Sequence, residues 1–365
     1  METITRDDKI AKLEEVISKF ENKDFNVYFF VVDTKNAPNG GVEYMYDIAL
    51  NLHERGYNVT MLHQEEEFIG PTAWLGERYD VLEHKNIEKN NIPLSASDFL
   101  FIPEVLPQVM MQTKNLPCKR ILLYQNPEYM LEYMPVGVSL TDLNIYDVIT
   151  TNRSLEEKIS SYFPKVRTKL VRPSIKNCFY PNEEPKKLIV NIMGSGINDV
   201  NNILKPFYWT RPVYRWVSFR NMQGMAQTVY ADVLREGAIT VWADDTTVNA
   251  KIALEALKCG NILIAKIPNN VPEWMMEGDE LRNDIIWFNT FDELHGILAS
   301  VIRGWTRNDI VSDFTEVYKK VDKIFAPEIQ NADIQMTIID GLFQSRLNDY
   351  HLLLNGIKNN KVENE

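Results

Sequence analysis

The sequence predicts an α/β protein of two doubly wound, Rossmann-like domains, and three observations predict it. The chain has 365 residues, 45% of them hydrophobic, which is too long for one ordinary domain and apolar enough for two cores. Short β-rich runs alternate with segments of helical periodicity, the pattern of parallel strands joined by crossover helices. The alternation also restarts: strand, glycine turn and helix open near residue 26 and again near residue 187.

Taken in order, Asp7–Phe20 sets Ile10, Leu13, Val16 and Ile17 on one face, predicting a leading helix. Asn26–Val32 reads as a buried strand, and Asp33–Gly41 as a polar turn. A helix follows over Val42–Arg55, stopped by Gly56, then a strand over Asn58–His63. Further strands are expected at Asp98–Ile102, Arg120–Tyr124 and Asp147–Thr150, with Ser154 capping a helix over Leu155–Tyr162. The turn-rich segment Asn177–Pro185 reads as the linker. The second domain runs strand Lys187–Met193, turn Gly194-Ser195-Gly196, helix Asp199–Phe207, strand Arg215–Phe219 and helix Met225–Gly237. Strands Ala238–Ala243, Asn261–Ala265 and Ile285–Phe288 and a helix over Phe291–Trp305 complete it. The tail Asn308–Lys358 reads as helical, broken near Pro327. The expected domains are therefore 1–180 and 181–325, with 326–365 as terminal helices.

Composition narrows the function. A net charge of −12 argues against a nucleic-acid partner, since neutralising phosphates needs clustered Lys and Arg. The local groups Lys186-Lys187 and Arg211, Arg215, Arg220 are expected near the second domain's crevice. Cys118, Cys178 and Cys259 show no CxxC spacing, so neither disulfides nor a zinc site is indicated. No apolar run reaches membrane length, and the charged start METITRDDKIAKLEE does not read as a signal peptide, so a cytoplasmic location is expected. His53, His63, His84, His295 and His351 stand apart and read as surface or core. No GxSxG or HExxH motif is present.

The most informative stretch is Val241–Met275, VWADDTTVNAKIALEALKCGNILIAKIPNNVPEWM. A strand ends in Asp244-Asp245, a small-residue turn follows, and a helix carrying Glu255 is stopped by Gly260. Ligands of doubly wound sheets sit beyond the carboxyl ends of the strands. The helix start at Thr247–Lys251, including Asn249 and Ala250, thus points amides and a positive dipole end at any anion there. Glu255, about two turns in, is placed to meet a sugar hydroxyl of the same ligand. An ordinary α/β crossover fits these residues equally well. A Lys at a helix start is disfavoured by the dipole, so Lys251 is either solvated or holds an anion, with Arg220 and Lys266 as further cations. In the first domain, Asn39-Gly40-Gly41 opens a helix where backbone can approach a ligand closely. Glu104, Gln125 and Asn126 follow strands and so fall on the acceptor side of a crevice.

The segment resembles the donor-site signature of the group 1 (GT4-like) GT-B glycosyltransferases, in which two spaced Glu residues precede a Cys/Ala-Gly turn. LEALKCG matches the second half, with Glu255 as the second Glu, whereas Thr247 stands at the first. GGVEYMYDIALNLHERGYNVTML similarly resembles that family's opening. The resemblance implies a GT-B fold, two Rossmann-like domains facing across a cleft, with helical N- and C-terminal extensions whose last helices cross back to the first domain. It further implies a glycosyltransferase moving a sugar from a nucleotide-diphosphate sugar to an acceptor hydroxyl, retaining and without a bound metal or cofactor. Donor contacts would come from Glu255, Thr247, Asn249, Ala250, Lys251, Arg220 and the loop Gly194, Ser195, Gly196. The Arg/Lys pair of relatives is missing from that loop, and the His often found near Gln125–Asn126 is absent. The acceptor (a glycan, lipid-linked sugar, protein or modified base) is not disclosed. Three other readings stay open: a catalytically weak or inactive donor-binding homologue serving as a binding or regulatory subunit, a phage-type DNA-base glycosyltransferase, which the acidic balance disfavours, and a partner-binding protein on the same scaffold that takes no nucleotide.

Overall fold

The structure, a computed structural model, describes residues 5–194, 197–244, 250–276, 281–309, 314–325 and 332–359. Internal contacts divide it into two units. The first takes the described residues up to Thr150, Ile159–Val171 and those from Ala332 onward; the second takes Thr151–Lys158 and those from Arg172 to Phe325. The division thus falls at Val171/Arg172 rather than near residue 180, because Ile175 and Phe179 are fully buried in the second unit's core.

The first unit runs α1 (Arg6–Glu21), β1 (Asn26–Phe30), α2 (Gly40–Glu54), β2 (Asn58–His63), α3 (Thr72–Leu75), β3 (Glu83–Asn86), β4 (Phe99–Pro103), α4 (Pro107–Gln112), β5 (Lys119–Tyr124), α5 (Pro127–Tyr133), β6 (Asp147–Thr150), α6 (Arg153–Tyr162), whose residues up to Lys158 count with the second unit, and β7 (Arg167–Leu170). Its described strands form a seven-stranded parallel sheet in the order β3-β2-β1-β4-β5-β6-β7. VYFF of β1, FLFIP of β4 and ILLY of β5 are continuous apolar runs because a parallel sheet is covered on both faces. The two strands that sequence reading passes over, β3 (EHKN) and β7 (RTKL), lie at the sheet's edges. Charged residues there block further pairing and erase the apolar signal. The cap of α6 is also corrected: Asn152 Oδ1 accepts from the Leu155 amide at 2.9 Å, while Ser154 lies inside the helix.

The second unit contains β8 (Lys187–Met193), α7 (Ile197–Thr210), β9 (Ser218–Asn221), α8 (Gln227–Glu236), β10 (Gly237–Trp242), α9 (Lys251–Lys258), β11 (Ile262–Lys266), β12 (Ile285–Phe288), α10 (Phe291–Thr306) and α11 (Phe314–Phe325). Its described strands form a five-stranded parallel sheet ordered β12-β11-β10-β8-β9. The last helix, α12 (Ala332–Asn359), joins the first unit. Tyr57 donates to Asp340 at 2.6 Å, the Phe343 ring lies 4.4 Å from that of Phe99, and Lys358 meets Glu14 of α1 at 2.7 Å. No helix among the described residues is long and apolar enough to cross a membrane.

The stop of α9 shows how the KCGN sequence sets local structure. Gly260 takes φ +74°, its amide bonds to Leu257 O at 2.9 Å, and the Asn261 amide bonds to Ala256 O at 3.0 Å. These are the two hydrogen bonds of a Schellman motif, and the left-handed residue favours glycine. The buried Asn261 side chain extends the motif. Its Nδ2 donates to Leu234 O at 2.9 Å and Ala256 O at 3.1 Å, and its Oδ1 accepts from Thr240 Oγ1 at 3.2 Å. Asn261→Ala should strand these groups and cost about 2–4 kcal/mol. The expected outcome is a lower urea midpoint with an unchanged m-value; an unchanged midpoint would show that the network contributes nothing.

Candidate functional site

Each sheet has one topological switch point, where the chain leaves in opposite directions from adjacent strands, and ligand crevices form at the carboxyl ends there. In the first unit it falls between β1 and β4, and in the second between β8 and β10.

At the first switch point, Asn39 caps α2, its Oδ1 accepting from the Val42 amide at 3.0 Å. Gly40 and Gly41 open the helix, and neither adopts the positive φ that their sequence leaves available. They differ in surroundings. A Cβ on Gly40 would meet nothing within 4 Å, whereas one on Gly41 would lie 3.3 Å from Asn39 Oδ1 and 3.4 Å from Gln125 Oε1. Gln125 follows β5 and donates through Nε2 to Gly41 O at 3.2 Å. Asn126 caps α5, while its own amide donates to Glu104 Oε1 at 2.7 Å. Glu104 follows β4 and is buried, and its Oε2 has no hydrogen-bond partner among the described residues. Burial pushes its carboxyl up to about 7, against the opposing pull of backbone amides. Gly41, Gln125, Asn126 and Glu104 are thus joined in one chain of contacts at the strand ends.

At the second switch point, the Ala243 amide bonds to Met193 O at 2.8 Å, tying together the ends of β10 and β8. Gly194 follows β8 and is required by close approach: a Cβ there would sit 2.6 Å from Asp199 Cβ in the first turn of α7. Gln223 donates to Gly194 O at 3.0 Å. Sequence reading misses Gln223, although the Asn-Met-Gln-Gly turn after β9 was the available signal. Ser195, Gly196, Thr247 and Asn249 lie outside the described residues.

Helix α9 starts at Lys251, with the buried Ala250 as its N-cap in the left-handed conformation, φ 47° and ψ 34°. For a non-glycine residue this conformation costs about 1–3 kcal/mol, and such strain clusters at functional turns. Glu255 is therefore about one turn into the helix rather than two. It is buried, and its Oε1 lies 3.9 Å from Lys251 Nζ. The cation at the helix start thus has an internal counter-charge, which offsets the unfavourable dipole.

Lys186, Lys187 and Arg220 go elsewhere. Lys186 Nζ donates to the carbonyls of Leu234 (2.9 Å), Arg235 (3.2 Å) and Gly237 (3.1 Å), closing the carboxyl end of α8. Glu236 pairs with Lys187 at 2.7 Å and with Arg220, and the Arg220 bond foremost draws its carboxyl down to about 2. Lys187 opens β8 and Glu236 immediately precedes β10, so this cluster occupies the amino ends of the strands, away from the switch-point crevice. Two histidines expected to stand apart are neighbours: Phe68 stacks on His63 at 4.2 Å and tilts against His84 at 5.3 Å. Burial draws His84 down to about 4, leaving it a neutral packing group.

No protein-family sequence profile matches the chain. It is similar to an alpha-1,6-glucosyltransferase of Actinobacillus pleuropneumoniae serotype 7 (strain AP76), 24% identical over 279 residues, 71% of this chain and 81% of that protein. In structure it is similar to a sucrose-phosphate synthase of Thermosynechococcus elongatus, with TM-score 0.58, 12% identity, and coverage of 88% of this chain and 99% of the other. It is also similar to the pneumococcal O-GlcNAc transferase in complex with UDP and GlcNAc, with TM-score 0.57, 8% identity, and coverage of 91% and 99%. The fold shared with these structures is GT-B.

The buried carboxyl of Glu104 makes a pH prediction. Its folded-state value lies above the ordinary 4.5, at about 7, so the native state holds a proton that the unfolded chain releases. Its contribution to stability is full below about pH 4.5 and is lost as pH rises through about 7. Glu104→Gln keeps an acceptor for the Asn126 amide but cannot ionise. The variant should lose this part of the decline and gain about 2–3 kcal/mol over wild type above pH 7. Calorimetric melting across that range checks it; parallel profiles would refute the assignment.

Proposed function

Starting from the GT-B glycosyltransferase fold that the chain carries, we propose that it transfers a sugar from a nucleotide-diphosphate sugar to an acceptor hydroxyl, with retention of configuration and without a bound metal. The observation that carries this reading is the turn into α9. A strained left-handed residue sits at the second sheet's switch point, followed one helical turn later by a buried carboxylate. A left-handed residue before a right-handed one splays successive N–H groups into an anion-binding concavity, and the first amides of a helix are not used within it. A departing diphosphate would find both dipole and donors there, in a setting where such donors need no reorganisation. Glu255 would bond the ribose hydroxyls and Lys251 the phosphates. The names of the similar proteins support the same chemistry: a glucosyltransferase in sequence and a UDP-bound transferase in fold. In the first unit, Gln125 and Asn126 offer amide groups at the acceptor side.

The test is titration of the purified chain with UDP, GDP, ADP and their sugars, followed by donor-hydrolysis and transfer assays. One nucleoside diphosphate should bind and raise the melting temperature. Absence of binding to all of them, with the protein folded, would sink the reading; binding without turnover would leave a donor-binding protein. A carboxylate–hydroxyl bond contributes about 1.5–3 kcal/mol, so Glu255→Gln should weaken that diphosphate by about tenfold or more. Lys251→Ala should weaken the diphosphate more than the bare nucleoside, by a margin that shrinks with added salt. Equal effects on both ligands would instead mean that Lys251 only neutralises Glu255.

A further inference from the structure

We propose that the turn between α7 and β9 is a docking surface for an anionic lipid bilayer. Residues 205–216 read KPFYWTRPVYRW, and the fold sorts them into two sets. Phe207 is fully buried and stacks on Tyr214 at 5.8 Å; the Tyr208 and Tyr214 hydroxyls donate to Val217 O at 2.9 Å and Ala299 O at 3.3 Å. The other large side chains face solvent: Trp209 is 73% exposed, Val213 70% and Trp216 61%. Lys205, one helical turn before Trp209, and Arg211 and Arg215 are exposed among them.

Charge selects the occupant. The chain carries a net −12, yet no Asp or Glu occurs from Val200 to Ala231. Three exposed cations therefore sit in an acid-free stretch of an acidic protein, complementary to a negatively charged surface. The shape of the apolar part selects a bilayer over a folded partner. Each of the three apolar side chains stands mostly in solvent, so they project rather than line a groove. Projecting Trp side chains flanked by Lys and Arg suit the headgroup zone, where the ring meets acyl chain, its N–H stays wet and the cations meet lipid phosphates. The turn enters β9, the sheet's edge strand, at its amino end, whereas Gly194 and Ala250 lie at the carboxyl ends of β8 and β10. Docking at this turn leaves that crevice open.

Co-sedimentation of the full chain with vesicles, in the absence of any nucleotide sugar, tests the proposal independently of the transferase reading. Vesicles of phosphatidylcholine alone should not bind the chain; those with about a third phosphatidylglycerol should, and more weakly at higher salt. The pair Trp209→Ala, Trp216→Ala and the pair Arg211→Glu, Arg215→Glu should each lower partitioning by about tenfold or more while leaving the melting temperature unchanged. Binding to neither vesicle, equal binding to both, or indifference to both pairs would overturn the proposal. So would wild-type self-association in light scattering that the same substitutions abolish, which would make the turn an interface between copies of the chain.

Discussion

Both sheets are parallel, and a parallel ladder has to be covered on both faces because its crossover helices lie on each side. That constraint makes FLFIP apolar throughout and GAITVW apolar but for Thr240, and buries both from end to end. Apart from buried residues such as Asn191, which donates to Val233 O at 3.2 Å, polar chemistry collects at the amino ends and the carboxyl ends of the strands. In the second unit the two ends are used differently. The amino ends carry a closed structural lattice, in which Lys186 caps α8, Glu236 joins Lys187 to Arg220, and Asn261 is bonded on both sides of its amide. The carboxyl ends carry a close glycine approach at Gly194 and a strained residue at Ala250.

The same contrast explains where the positive charge goes. The chain has 39 Lys and Arg against 51 Asp and Glu, and several of its cations serve the fold. Arg167 pairs with both carboxyl oxygens of Asp147, at 2.9 and 3.0 Å, across the edge of the first sheet, and the buried Lys258 meets Asp322 at 2.8 Å. Burying a Lys is tolerable only with such a partner. Lys251 is half-way between these uses: at the start of α9, beside Glu255, it is close enough to neutralise the carboxylate yet too far, at 3.9 Å, for a hydrogen bond.

The first unit's cluster rests on burial rather than strain. The Glu104 carboxyl accepts from the Asn126 amide, and Gln125 in turn bonds the backbone of the first turn of α2. A carboxyl in this setting is neutral over much of the pH range, so it anchors the strand ends without bringing a charge into the core.

Much of this was legible in the sequence because it depends on local pattern. The strands Asn58–His63, Asp147–Thr150, Lys187–Met193 and Ile285–Phe288 appear with their expected bounds, since each is a short apolar-rich run bounded by turn or helix signals. Gly56 and Gly260 end their helices at positive φ, as helix C-termini ask of glycine. Strand order also makes Gly41, Glu104 and Gln125 neighbours, as their places after successive strands imply. What sequence could not show is which way a long side chain turns. Arg220 stands on a strand in line with the crevice, yet its guanidinium reaches Glu236 at the other end of the sheet. Lys186 was expected near the crevice and is a helix cap. The edge strands β3 and β7 carry no apolar run, and the left-handed Ala250 has no residue signal at all, because Ala does not prefer that conformation. Sequence determined the alternation of elements and where the turns fall; tertiary structure decided the partners of the charges, because a Lys or Arg side chain spans the distance between two strands and takes whichever carboxylate or carbonyl the packing puts within reach.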